Sequence, residues 1–190
     1  MKRTVAISSV AAALIAGAAI FSLPHGTFAA GEPMVGGAPM YPTKNIIENA
    51  VNSKDHTTLV TAVKAAGLVE TLSGPGPFTV FAPTNAAFNM LPKGTVEDLL
   101  KPDNKPKLSK ILTYHVVKAN ALSSAIDKMI KDDGGKHTIS TVSGDKLTAS
   151  MKNGKLVLTD EKGGTATVTI ADVRQSNGVI HVVDHVLLPN

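Results

Sequence analysis

The chain has 190 residues, of which 43% are hydrophobic and 4% aromatic, with no Cys, no Trp and a formal charge of +4. That length buries one real core, and the missing cysteines exclude a disulfide framework and a lipid-tethered amino terminus. Without Lys2 and Arg3 the charge falls to +2, lysine and acid are interspersed, and Arg174 is the one arginine left. The pattern excludes nucleic acid as a partner, since bidentate phosphate or base readout needs clustered arginine.

In chain order, Lys2 and Arg3 precede an apolar or small-residue run from Val5 to Phe21, broken by Pro24-His25-Gly26. Thr27 and Ala29 suit cleavage near Ala29. Residues 1–29 therefore read as a signal peptide, which implies a secreted or periplasmic protein with no membrane span in its mature form. Residues 30–42 are rich in Gly and Pro without an apolar period and are expected to be a flexible lead-in to one domain over 43–190. Asn45 and Glu48 have capping-box spacing ahead of a helix that turns Ile46, Ile47 and Ala50 inward. Asp55 starts a second helix with Leu59, Ala62, Val63 and Ala66 on one face, stopped by Gly67.

The turn Gly74–Pro77 leads into a short strand, Phe78–Ala82, in which Phe78, Val80 and Ala82 face one side and Phe81 the other. Pro83 is expected to end the pairing, and Thr84 to cap a helix carrying Phe88 and Leu91 on one face. Phe78, Phe81 and Phe88 are the only phenylalanines beyond the leader, so much of the large apolar area sits in this unit. Thr95-Val96-Glu97-Asp98 has capping-box spacing, and Pro106 suits a helix's first turn. Leu108, Ile111, Leu112 and His115 form an i, i+3, i+4, i+7 stripe, with Tyr114 near its edge. From His137 the period becomes that of strands: His137–Ser143, Lys146–Met151, Lys155–Leu158, Thr165–Val173 and Val179–Leu188, separated by Gly-containing turns. Helices followed by strands give an α+β domain.

Candidate chemistry is sparse. His181 and His185 share a strand face and make at most a two-imidazole metal site, without a third ligand at suitable spacing. His115, on an apolar stripe, reads as a buried histidine satisfied by its neighbours. No G-x-S-x-G elbow, calcium loop, phosphate-binding glycine motif or N-x-S/T acceptor occurs. Neither catalysis nor a cofactor is expected.

Three segments carry a resemblance. Gly76-Pro77-Phe78-Thr79-Val80-Phe81-Ala82-Pro83-Thr84-Asn85 with Ala87-Phe88, and Ser176–Pro189 containing Gly178, His181 and Asp184, are similar to the two signature segments of fasciclin-like domains. Leu112–Val117 resembles that family's Tyr-His segment. The resemblance implies a wedge-like β-sheet assembly with small helices packed on it, and an extracellular or envelope adhesion module without characteristic catalysis. It implies partners among the protein or polysaccharide surfaces of envelope, matrix or host cell. Some animal members link an Asp-Ile pair and the Tyr-His segment to receptor binding. The matching positions here are Asp172-Val173, with Val in place of Ile, and Tyr114-His115. Asp172 is expected on an exposed turn. A second implied possibility is a carrier of a small apolar, carotenoid-like ligand. The final strand is expected in the core beside Phe78–Ala82, with His115 reaching one of the two.

Overall fold

The computed structural model describes residues 31–190, so the leader expected over 1–29 lies outside the described residues. The fold is α+β. Seven strands form one mixed sheet: β3 (Phe78–Pro83), β4 (Val116–Val117), β5 (Lys136–Ser140), β6 (Lys146–Lys152), β7 (Lys155–Thr159), β8 (Thr165–Gln175) and β9 (Gly178–Val183), in the order β4-β3-β9-β8-β7-β6-β5. The β3–β9 pair is parallel, from Phe78 opposite Gly178 to Pro83 opposite Val183, and the other pairs are antiparallel.

Strand alternation in β3 and β9 divides the core in two. Phe78, Val80 and Ala82, with Ile180 and Val182, pack under a helical layer. That layer holds α1 (Ile46–Ala50), α2 (Thr57–Ala66), α3 (Val69–Ser73), α4 (Asn85–Asn89), α5 (Thr95–Leu99) and α6 (Lys105–Tyr114). Phe81 and Val183 face the other way, into a second core closed by α7 (Ser123–Asp132) and the inner faces of β5–β8. Every residue of β3 and β9 is buried, as a central strand pair covered on both faces must be.

Several local signals act as read. Asn45 and Glu48 form both halves of a capping box, Gly67 ends α2 in the left-handed region at φ 74°, Thr84 Oγ1 accepts the Ala87 N–H, and Pro106 sits in the first turn of α6. Others differ. Residues 31–42, expected to be flexible, contain a hairpin of β1 (Met34–Val35) and β2 (Ala38–Pro39) that buries Val35 and Met40. Its two-residue turn needs φ > 0 at both positions, which Gly36 and Gly37 supply at 59° and 76°. Thr95 lies inside α5, and left-handed Gly94 takes the cap position instead. β3 continues through Pro83, and Leu91 follows α4 rather than belonging to it.

Two differences are larger. Helix α7 has no counterpart among the expected elements, although Ile126 and Ile130 at i, i+4 fill the second core. The last strand stops at Val183 instead of Leu188, because side chains take over its backbone donors: His115 Nε2 accepts the Leu187 N–H at 3.0 Å and Asp160 Oδ2 the Leu188 N–H at 3.0 Å. Phe81, fully buried between these strands, should cost about 3–5 kcal/mol when cut to Ala. Deletion of residues 179–190, which removes nearly all of β9 from the sheet centre, should leave no cooperative urea transition. Chemical denaturation of both variants checks the placement of the core.

Candidate functional site

The two signature segments meet at a backbone crossing. Phe78 N–H donates to the Asn177 carbonyl at 3.0 Å. A Cβ on Gly178 would lie 1.9 Å from the Phe78 oxygen, and one on Gly76 would lie 1.9 Å from the Asn177 oxygen. Only glycine fits on either side. The Asn177 side chain completes the clamp: its amide donates to the carbonyls of Leu72 at 2.8 Å and Gly74 at 2.9 Å, while its Oδ1 accepts the Ile46 N–H at 3.1 Å. Its role is invisible in the sequence, where it reads as a turn residue.

The Tyr-His segment ends α6 with its two side chains in different environments. His115 Nδ1–H donates to the Ile111 carbonyl at 2.8 Å and Nε2 accepts from Leu187 N–H, which fixes the tautomer. Burial lowers its pKa to about 4, so the ring is neutral. Tyr114, expected near an edge, is fully buried in the second core; its hydroxyl donates to the Lys146 carbonyl at 2.8 Å and accepts from Glu161 N–H at 3.3 Å. Burial pushes the phenol up to about 12.

His181 lies flat against Phe81, with ring centroids 5.5 Å apart. Its Nε2–H donates to the Ala121 carbonyl at 2.8 Å, and Nδ1 accepts the Asp172 N–H at 3.3 Å. Burial holds its pKa below the usual imidazole value. Thr79 Oγ1, beside it on this face, donates to Ala119 O and accepts from Ala121 N–H, so strand side chains pin the segment leading into α7. Asp172 is not on an exposed turn. It is a half-buried bulge residue at φ 59° whose carboxylate accepts the Ser123 N–H at 2.7 Å and the Ser123 hydroxyl at 2.5 Å. Leu122, at the cap position of α7, offers no side-chain acceptor, and Asp172 caps the helix from another strand. Val173 is fully buried.

The four expected partner-contact residues are therefore brought near the core rather than to one surface: Tyr114, His115 and Val173 are interior, and Asp172 is engaged in capping. The two-histidine face does not form either, because β9 ends before His185, which is exposed and bonded to Asp184 Oδ1 at 2.8 Å. Asp184 Oδ1 also accepts the Thr167 N–H, and its carboxyl is held below the usual range by the hydrogen bonds from His185 and Thr167, against the upward pull of burial. Among the described residues no group of three or more His, Cys, Asp or Glu side chains is placed to hold a metal. An apolar void of about 40 Å³ lies under the helical layer, lined by residues such as Phe81, His56, His115 and Val173. Sites for drug-sized ligands are roughly 300–1,000 Å³, so the void is a packing gap and gives the carrier reading no support. His56 borders it; Nδ1 meets Ser53 Oγ at 2.8 Å, Nε2 lacks a well-formed hydrogen bond although the Ala82 carbonyl is close enough to raise its basicity, and burial nevertheless lowers its pKa.

These neutral rings set a pH dependence. A folded pKa below the unfolded 6.5 means the unfolded chain binds more protons between the two values, so stability falls as pH drops from 6.5 towards about 4. His115 alone should contribute a loss of about 3 kcal/mol over that window, with His56 and His181 acting in the same direction. Urea midpoints measured across it should decline, and His115→Asn should be less stable at pH 7 but show a flatter profile. Asp172→Ala, which strips the cap from α7, should cost about 1–2 kcal/mol in the same assay.

A model of the fasciclin domain matches residues 54–189. Protein sll1483 of Synechocystis is 51% identical over 144 residues, which cover 76% of this chain and 73% of the relative. Immunogenic protein MPB70 of Mycobacterium bovis is 31% identical over 208 aligned positions that take in 100% of this chain and 98% of the relative. Transforming growth factor-beta-induced protein ig-h3 of Sus scrofa is 39% identical over 131 residues, 69% of this chain but only 17% of that much longer protein. The solved FAS1 domain pair from the insect cell adhesion molecule fasciclin I superposes with a TM-score of 0.68 at 18% identity, over 76% of this chain and 51% of that one, a likeness of fold. With a family match over most of its length and the signature segments crossing at the sheet centre, the chain belongs to the fasciclin-domain family.

Proposed function

We propose that the protein is an exported, non-enzymatic adhesion or interaction module that works in a bacterial envelope or extracellular space and contacts a protein or polysaccharide surface. The observation that carries this reading is the family match over residues 54–189. Names among the relatives point the same way: a mycobacterial relative, 38% identical, is a cell surface glycolipoprotein. The geometry supports a structural rather than catalytic use of the signature residues, since the polar atoms of Tyr114, His115 and His181 are engaged by backbone groups. No helix among the described residues is long and apolar enough to cross a membrane. Cleavage near Ala29 would deliver the folded unit to its compartment. Tyr114, His115 and Val173 serve the fold in this reading, and the partner meets exposed surface elsewhere.

Purified protein incubated with envelope fractions, isolated cell-wall polysaccharide and matrix-coated surfaces should bind at least one of them saturably. Absence of saturable binding to all three would overturn the reading.

A further inference from the structure

One side of the β5–β8 sheet repeats a single side-chain type across its strands. Thr138 stands opposite Thr148, Thr148 opposite Thr159, and Thr159 opposite Thr165, which makes one row of four threonines over four adjacent strands. Their chain neighbours Ile139, Leu147, Leu158 and Ala166 are buried in the second core, so alternation turns the threonines away from it. Thr138 and Thr165 are exposed, and Thr148 and Thr159 half-buried. With neighbouring strands about 4.8 Å apart, the row repeats its hydroxyls over roughly 14 Å. The spacing between neighbouring strands, and so between successive hydroxyls, is close to the rise of one pyranose unit in an extended glycan chain.

The charge on this face has one sign. Lys136, Lys146, Lys152 and Lys155 occupy outward positions of β5, β6 and β7, all exposed, and the outward positions of these strands hold no carboxylate. None of the four lysines makes an ion pair with another described residue. Lys136 flanks the row through its partner Ser150, Lys146 lies on the other side opposite Ser140, and Lys152 and Lys155 face each other at the hairpin end. The acids nearest along the chain lie in the flanking turns and are engaged there: Asp133 by His137, Asp145 by Ser143 and Lys110, Asp160 by the backbone of its own turn, and Glu161 by the Lys146 N–H.

From this juxtaposition we infer that the outer face of β5–β8 binds an acidic polysaccharide, a uronate-bearing chain lying across the strands along the threonine row. The threonine hydroxyls hydrogen-bond to sugar hydroxyls, and the lysines pair with carboxylates. The inference rests on the interaction-module reading and names its partner. A protein partner would call for exposed aromatic or apolar anchors, and a single-stranded nucleic acid for aromatic platforms; the outward positions of these four strands carry no aromatic residue, and Val157, apolar and outward on β7, is buried. Charge pairing to the lysines thus supplies what ring stacking would supply for a neutral glycan.

The test uses fluorescein-labelled alginate, with neutral dextran as control, at low and high ionic strength. The protein should bind alginate saturably and dextran not at all, with affinity falling as salt rises. Replacement of Lys136, Lys146, Lys152 and Lys155 by Gln should weaken binding about tenfold. The same change at Lys64, Lys93, Lys105 and Lys107, which removes equal charge from outside this face, should change it less than about twofold. Thr148→Val with Thr159→Val keeps the β-branched shape and should weaken binding about threefold at an unchanged urea midpoint. Equal losses from the two lysine sets, or an unaffected threonine variant, would overturn the inference. So would failure of the parent protein to bind alginate; if that protein still binds envelope fractions saturably, the interaction-module reading stands and this face is not its glycan site.

Discussion

The parallel contact between β3 and β9 is the constraint on which the remaining structure depends. These strands are a hundred residues apart in the chain and meet edge to edge where Gly76 and Gly178 leave no room for a side chain. Parallel neighbours cannot be joined by a tight turn, so the chain between them has to make a long excursion before it returns to pair. The helices α4–α7 and strands β4–β8 are that excursion. β4 attaches to the free side of β3, and β8 to the free side of β9. Asn177, held in the crossing by its own carbonyl, extends the same contact to α1 and to the end of α3 through its side chain. A domain closed by its most distant segments has a high cost in loop entropy, and its central pair must be buried on both faces to repay it.

A second constraint follows from that burial. Segments leading into and out of the central strands pass through the interior, where each backbone N–H or carbonyl needs a partner. Side chains provide several. His115 accepts from Leu187 N–H after β9 has ended, Asp160 from Leu188 N–H and from its own turn, and Thr79 and His181 hold the segment before α7. Imidazole suits this work because a neutral ring donates on one side and accepts on the other. A protonated ring would lose the acceptor on which Leu187 or Asp172 relies. The depressed basicity of His115 and His181 is thus the electrostatic counterpart of their hydrogen-bond geometry, and a catalytic reading of either ring would have to break a contact that the fold uses.

What was legible in the sequence was local. The Asn45–Glu48 box, the Thr84 cap, the Gly67 stop, the α2 and α6 stripes and the two faces of Phe78–Ala82 depend on spacing within a few residues, and all are found. The signature glycines could be noticed, but their reason, a clash with a carbonyl a hundred residues away, could not. The place of Asp172 is hidden for the same cause: its bulge and its capping of α7 depend on a strand meeting a helix about fifty residues earlier. Tyr114 reads as the edge of a stripe because the helical period knows only one core, whereas this sheet has a core on each face. The Gly36-Gly37 turn is local as well, and its glycines there serve a hairpin, not flexibility. The threonine row was beyond reach, since its meaning lies in the register of four strands.

The lysines of the β5–β8 face have a second physical role, and the two roles can be separated by position. β5 is the outermost strand, and charged side chains on such an edge deter pairing with another sheet. That accounts for Lys136. Lys146, Lys152 and Lys155 lie on the interior strands β6 and β7, at strand ends paired on one side only, so edge protection has a smaller part in their charge. Solubility would be served by mixed signs, as on α7, where Lys128 and Lys131 are paired with Asp132 and Asp127. A face that carries lysine without acid while the adjacent helix balances both leaves its charge available to something outside the chain. The register of the sheet then places a repeating line of hydroxyls beside that charge.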